Sequence, residues 1–216
     1  MNNGLYALEF LRDGRRFSVP EENKRALRAC ISGGWEEEET NLPIVLTAYL
    51  NGPELMKYGL SFRLRSFLRS IPKWIHWDSL TYCFEVRDGT NLDTCQAEVS
   101  DFMTYGDAIS LARKRSGVKT LSPRLVTMSL RRSYSNGNKP ERLVTDEGTI
   151  YLFFENPDVG IPLGREKFIR VEVKRPSELR PRLNGSLGRF LRVFGTQAVS
   201  KKTQGYLRIK RYLDCK

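Results

Sequence analysis

Short apolar segments separated by turn-forming residues are the feature that most limits how this chain can fold. Each segment is six to nine residues long and rich in β-branched and aromatic residues, which is typical of a buried strand rather than a long helix. The segments lie at 42–50, 80–86, 125–130, 149–154 and 168–173. Asn51-Gly52-Pro53 ends the first and Asp88-Gly89 ends the second, so the pattern predicts a sheet of short strands joined by turns.

Apolar residues at helical spacing lie between these segments and predict helices. The predicted helices cover 21–31, 54–71, 104–115 and 187–194, and a last strand is predicted at 206–212. The arginine-rich helix over 54–71 is either a core helix with solvated arginines or one that contacts phosphate or a membrane surface. Because helices and strands do not alternate strictly, we expect an α+β fold: a single compact domain over residues 1–216, with a largely antiparallel sheet flanked by helices.

The charge is distributed unevenly along the sequence, although the whole chain has a net charge of +11. Residues 1–108 contain 12 lysines and arginines against 16 aspartates and glutamates, a net charge of −4. Residues 109–216 contain 24 against 9, a net charge of +15. The domain therefore has an acidic N-terminal half and a basic C-terminal half. The basic half favours a polyanionic partner, such as nucleic acid, a ribonucleoprotein, an anionic membrane surface or an acidic protein; the alternative is that it serves solubility.

Three groups of basic residues in the second half are candidates for contacting a polyanion. One group ends the predicted helix over 104–115, and a second is the pair at 131–132. The third includes Lys201 and Lys202 and the predicted strand over 206–212, where alternation places Arg208 and Lys210 on one face. The candidate polyanion-binding residues are Arg113, Lys114, Arg115, Arg131, Arg132, Lys201, Lys202, Arg208 and Lys210.

The cysteines and the single histidine indicate neither a metal site nor histidine-dependent catalysis. Cys30, Cys83, Cys95 and Cys215 form no C-x-x-C pair, whereas zinc sites usually take closely spaced ligand pairs. His76 has no partner histidine in the sequence. With no signal-peptide pattern and no apolar run of membrane-spanning length, we expect an intracellular protein, cytoplasmic or nuclear and not secreted, with reduced thiols.

One spacing is compatible with a nuclease. Pro157-Asp158 followed by Glu172-Val173-Lys174 matches the PD-(D/E)xK pattern, in which two carboxylates hold Mg²⁺ or Mn²⁺ and a lysine assists the attacking water. Alternation over residues 168–174 places Glu172 and Lys174 on one strand face. The catalytic residues under this alternative are Asp158, Glu172 and Lys174. The competing interpretation is a turn followed by a surface strand with a Glu–Lys pair.

Several short patches resemble vesiculovirus-type rhabdovirus matrix proteins. Near the C-terminus they are Phe194-Gly195, Val199-Ser200-Lys201-Lys202 and Gly205-Tyr206-Leu207. Met103-Thr104-Tyr105-Gly106-Asp107-Ala108 opening a helix, the strand at 125–130, and Gly148-Thr149-Ile150 before a strand are also similar. The resemblance implies a compact α+β domain that self-associates, condenses a nucleocapsid and binds the inner leaflet of a membrane, in the virion as well as in the cell.

The sequence-based hypothesis is therefore a non-enzymatic, RNA-binding structural protein of the viral matrix kind. It would bridge a ribonucleoprotein and an anionic membrane surface as a peripheral, self-assembling homo-oligomer, with no cofactor. The alternative is the nuclease that depends on Mg²⁺ or Mn²⁺.

Overall fold

The computed structural model describes residues 6–8, 16–51, 60–88, 97–137, 139–174 and 185–216. Twelve strands and four helices make up the described part of the chain. The strands are β1 (Tyr6–Leu8), β2 (Arg16–Pro20), β3 (Glu36–Glu37), β4 (Ile44–Asn51), β5 (Leu60–Leu68), β6 (Tyr82–Asp88), β7 (Ala97–Met103), β8 (Ser122–Asn136), β9 (Lys139–Asn156), β10 (Val159–Arg165), β11 (Phe168–Lys174) and β12 (Thr196–Gln197). The helices are α1 (Lys24–Ser32), α2 (Tyr105–Ser116), α3 (Gly185–Phe194) and α4 (Lys201–Asp214).

All the described strands belong to one antiparallel sheet, ordered β1-β7-β6-β5-β4-β8-β9-β11-β2-β12, with β10 paired to β9 and β3 paired to β8. The prediction of an α+β fold with a largely antiparallel sheet is confirmed in outline. The sheet is larger than expected, and it dominates the fold rather than serving as one layer between helices. Strands of the acidic and basic halves are neighbours, because β4 pairs with β8 and β2 pairs with β11.

Three helices cover one face of the sheet, which we call the outer face. On one half, α2 packs its alanines against apolar residues of β4, β5 and β6, such as Leu46, Phe62 and Phe84. On the other half, α1 and α3 pack against β2, β9 and β11. Since side chains alternate between the two faces of a strand, burial of the apolar set on the outer face leaves the polar set on the opposite face, which we call the inner face.

Helix α2 matches the predicted helix over 104–115 and shows why the sequence marks its ends so clearly. The Thr104 hydroxyl accepts a hydrogen bond from the backbone N–H of Asp107 at 3.2 Å, which caps the first turn. Gly117 ends the helix with φ 70°, a left-handed conformation that glycine adopts at little cost. Local signals of this kind are therefore sufficient for this element.

The predicted helix over 54–71 is wrong: its described part contains β5, a central strand between β4 and β6. Phe62 and Leu64 are buried on the outer face, while Arg63 and Arg65 alternate with them on the inner face. The apolar spacing over this segment also fits a helix, but the two-residue period within 61–65 determines the structure because both neighbouring strands supply hydrogen-bond partners.

The predicted closing strand at 206–212 is also wrong, because these residues lie in α4. Ser200 caps this helix by accepting a hydrogen bond from the backbone N–H of Thr203 at 3.0 Å. Helix α4 packs on the inner face, where Ile209 joins a cluster with Leu125 and Phe153. Arg208 and Lys210 therefore occupy a helix and do not share a strand face. No helix in the described part of the chain is both long and apolar enough to cross a membrane.

Candidate anion-binding site

The inner face gathers charged side chains from strands of both halves of the chain. Residues directly opposite each other on neighbouring strands place their side chains on the same face, and the registers pair Arg63 with Glu85, Arg131 with Asp146, and Asp146 with Arg170. Helix α4 covers part of this face, so that Arg63 is only 9% exposed and Asp146 only 5%. The result is a set of buried charges within the sheet's polar face.

Two arginines of β5 share one carboxylate in the first part of the site. Glu85 pairs with Arg63 through Nε and with Arg65 through Nη1, the latter at 2.8 Å. Arg63 Nη2 and Arg65 Nε are buried and have no hydrogen-bond partner among the described residues. One negative charge therefore serves two guanidinium groups, and two of their donor nitrogens are left for another acceptor.

Burial, and after it the charge of Arg63, disfavours the charged forms of two side chains beside Arg63, whereas Glu85 holds the pKa of Arg63 itself above its ordinary value despite burial. Burial and then the charge of Arg63, opposed in part by Glu85, together lower the pKa of Arg65 to about 10. The pKa of Lys202, which is half-buried at the start of α4, is lowered by burial and then by Arg63. The charged forms of these side chains are thus less stable here than in water, and a bound anion would restore that stability.

In the second part of the site, the cations are already neutralised by a carboxylate, that of Asp146. Arg131 binds Asp146 with both ends of its guanidinium group, Nε to Oδ1 at 2.9 Å and Nη2 to Oδ2 at 3.0 Å. Lys201 Nζ lies 2.9 Å from Asp146 Oδ2 and donates to the Ser129 hydroxyl at 2.7 Å. Although burial disfavours its charge, these cations hold the pKa of Asp146 far below its ordinary value, while burial lowers the pKa of Lys201 to about 8. This network joins the start of α4 to the sheet.

Acidification should weaken the fold through Asp146 and through Glu147, which pairs with Lys24 and Arg28 of α1. Burial opposes the charge of both carboxylates, but their cationic partners lower both pKa values. A group whose pKa is lowered in the folded state stabilises it above the unfolded pKa, near 4, and this contribution is lost as the pH falls further. We expect the free energy of unfolding, measured with urea, to fall steadily below about pH 4.5. A constant free energy between pH 5 and pH 3 would contradict this assignment.

A third buried network holds the segment that precedes α4. Arg170 Nε donates to Glu166 Oε2 at 2.8 Å, and the Tyr151 hydroxyl donates to the same carboxylate. Arg170 Nη1 also donates to the backbone carbonyl of Val199, directly before the cap of α4. The network therefore fixes where α4 begins, and with it the position of Lys202.

The structure brings part of the predicted polyanion-binding set to this region. Arg131, Lys201 and Lys202 lie on the inner face or on the helix that covers it. The guanidinium group of Arg208 donates to the carbonyl of Leu163 at 2.8 Å and lies 4.9 Å from the centroid of the Tyr151 ring. Lys210 is exposed on α4.

The remaining predicted residues lie elsewhere. Arg113, Lys114 and Arg115 form the exposed last turn of α2, which packs on the outer face. Arg132 alternates with Arg131 along β8 and pairs with Glu37 of β3. These four residues therefore belong to a different surface from the buried inner-face charges.

The nuclease interpretation fails because its three residues do not converge. Asp158 is exposed in the turn between β9 and β10, where it lines an outer-face groove of about 910 Å³ together with Trp74 and His76. Glu172 is opposite Val144, twelve residues along β9 from its last residue, which corresponds to about 40 Å of strand. Glu172 also pairs with Arg16 of β2 at 3.2 Å. Glu172 and Lys174 do lie on the same face of β11, as expected, but the carboxylate of Asp158 is not near them.

The residues that sequence reasoning missed are Arg63, Arg65, Glu85 and Asp146. The first two were assigned to a helix flank, although the alternation of arginine with phenylalanine and leucine over 61–65 was a usable signal for an arginine-lined strand face. Glu85 and Asp146 give no comparable signal, because an isolated acidic residue within a strand does not reveal which arginine lies opposite it. Their roles depend on the strand order.

Comparison with solved structures shows the class of fold. The chain matches a putative adenylate cyclase from Bacillus halodurans with a TM-score of 0.53 and 12% sequence identity, over 91% of this chain and 98% of the other. The Mediator head module of Schizosaccharomyces pombe matches with a TM-score of 0.47 and 13% identity, over 83% and 90% of the two chains. A putative adenylate cyclase from Vibrio parahaemolyticus matches with a TM-score of 0.44 and 12% identity, over 88% and 97%. No family model and no curated protein matches the sequence.

The resemblance to rhabdovirus matrix proteins is wrong, and with it the viral, virion and matrix-type structural function. The fold is similar to that of the Bacillus halodurans protein instead. The patches behind the resemblance are mostly local structure: 103–108 contains the cap and first turn of α2, and 199–207 contains the cap and first turns of α4. Capping residues recur in unrelated folds because they satisfy the same free N–H groups at the start of any helix.

Proposed function

We propose that this chain binds a phosphate-containing anion on the inner face, between Arg63 and Arg65 of β5 and Lys202 of α4. The observation that carries the proposal is the pair of buried, unpartnered donor nitrogens, Arg63 Nη2 and Arg65 Nε. A buried donor without an acceptor is costly, and a guanidinium group does not escape that cost by losing its proton. An anion that supplies acceptor oxygens would satisfy both nitrogens and offset the excess positive charge.

Phosphate suits these cations better than a single carboxylate. Its oxygens match the fork of donors on a guanidinium group, and each contact is a charge-assisted hydrogen bond. The name of the Bacillus halodurans fold neighbour supports the same ligand class, because an adenylate cyclase acts on a nucleoside triphosphate. We therefore propose a ligand with a chain of phosphates, for which inorganic tripolyphosphate is the simplest probe.

Replacing Lys202 by alanine should weaken tripolyphosphate binding about tenfold, because one charge-assisted contact is lost. Isothermal titration calorimetry at low ionic strength measures the change. The lysine is only half-buried, so the fold should tolerate its removal, and far-UV circular dichroism checks this.

Lys210→Ala is the matched control, since it removes the same charge from an exposed position on the same helix. Its affinity for tripolyphosphate should differ from that of the wild type by less than about twofold. Equal losses in the two variants would indicate general attraction to a basic protein, and an unmeasurable affinity in the wild type would contradict the proposed function.

A further inference from the structure

Each described carboxylate that faces the charged network is already paired with a cation. Glu85 pairs with Arg63 and Arg65, Asp146 with Arg131 and Lys201. The remaining pairs are Glu166 with Arg170 and Glu172 with Arg16. In the described part of the chain, no group of three or more histidine, cysteine, aspartate or glutamate side chains is arranged to hold a metal ion.

These pairs make the inner face a poor site for a divalent cation. Mg²⁺ requires oxygen ligands in octahedral geometry and usually takes one or two carboxylates together with phosphate oxygens. Recruiting Glu85 to a metal would take its carboxylate away from Arg63, which is buried, and from Arg65, which is half-buried. Leaving buried charges uncompensated is strongly unfavourable. The carboxylates on this face therefore neutralise arginines and lysines of the protein rather than binding a metal ion.

We propose that the phosphate ligand binds to this face as the metal-free anion, with the arginines and lysines providing the positive charge that a divalent cation would otherwise supply. This inference rests on the proposed function, because it concerns the same site. It follows that Mg²⁺ competes with the protein for the phosphate oxygens and does not assist binding.

The wild-type protein can be titrated with sodium tripolyphosphate in two buffers of equal ionic strength, one with EDTA and one with excess Mg²⁺. We expect binding in EDTA, and an affinity in Mg²⁺ that is lower by about tenfold, because the metal neutralises phosphate charge that the arginines need. Binding that requires Mg²⁺, or becomes tighter in its presence, would overturn the inference and leave the proposed function standing. Absence of binding in both buffers would overturn the two proposals together.

Glu85→Gln gives a second test. The affinity for tripolyphosphate should rise if Glu85 is the counter-ion of the arginines, and fall if Glu85 holds a metal ion. The substitution keeps the side-chain shape and removes the charge that neutralises Arg63 and Arg65. As the counter-ion of these arginines, Glu85 weakens anion binding, so the variant should bind tripolyphosphate in EDTA about tenfold more tightly. If Glu85 held a metal, the variant would lose its binding in Mg²⁺, which would contradict the inference.

Glu85 is buried, so the variant's fold has to be checked independently by circular dichroism in the presence and absence of tripolyphosphate. A variant that folds only when tripolyphosphate is present, in EDTA, also supports the inference, because the anion then replaces the missing carboxylate. If the variant does not fold under either condition, the wild-type comparison of EDTA with Mg²⁺ decides the question on its own.

Discussion

Replacing Asp146 by asparagine is expected to lower the free energy of unfolding by about 3–5 kcal/mol, the range found when one partner of a buried ion pair is removed. Asp146 is the shared counter-ion of Arg131 and Lys201, and its side chain is only 7% exposed. Without its charge, two partly buried cations lose the counter-ion that they share. Urea unfolding followed by circular dichroism at pH 7 gives the difference directly.

The control for Asp146→Asn is Glu21→Gln, which removes the charge of an exposed pair. Glu21 lies 3.2 Å from Arg165, and both side chains are largely exposed to solvent. Ion pairs of this kind contribute about 0–1 kcal/mol. If Asp146→Asn lowered the free energy of unfolding no more than this control does, water and not Asp146 would compensate the charges of Arg131 and Lys201.

The second large effect is expected at Glu166, which is 1% exposed and holds Arg170 and the Tyr151 hydroxyl. Glu166→Gln should destabilise the fold by about 3 kcal/mol, because the buried guanidinium group of Arg170 loses its counter-charge. Since Arg170 also binds the carbonyl of Val199 before α4, hydrogen exchange of the α4 amides should become faster in the variant than in the wild type.

Glu38→Gln is the matched control for Glu166→Gln, because the contact between Glu38 and Arg142 is long, at 3.8 Å, and solvent-exposed. It should change the free energy of unfolding by less than about 1 kcal/mol and should leave exchange in α4 unchanged. If exchange in α4 were equally fast in both variants, the network at Arg170 would not be what positions the helix.

The sequence was most informative where local chemistry decides the structure. Helix α2 has a cap at Thr104 and a left-handed glycine at Gly117, and it was predicted nearly to the residue. Strands such as β4 and β11 were predicted from apolar segments whose composition favours extended backbone.

Helix α4 was mistaken for a strand because Tyr206 to Tyr212 alternates in polarity. Its burial depends on Gly205, where an added Cβ would lie 2.4 Å from Leu125 of the sheet, a contact that only the tertiary structure defines.

The site could be predicted only in part, for a related reason. Arg131, Lys201 and Lys202 stood out as basic clusters, but Glu85 and Asp146 acquire their roles from strand neighbours that are distant in sequence. Charge counts along the chain also mislead here. The arginines of β5 belong to the acidic half of the sequence, yet on the inner face these two cations share a single carboxylate, Glu85. The order of strands, and not the order of residues, determines which charges meet.

The pairing of β2 with β11 has a consequence for how the protein folds. Arg16 and Glu172 are 156 positions apart in sequence, and a structure dominated by such distant contacts has a high contact order and folds slowly. During synthesis, Arg63 and Arg65 emerge long before Lys202 of α4. The proposed binding site is therefore completed only after α4 has been made, so a chain synthesised only as far as α3 cannot yet form it.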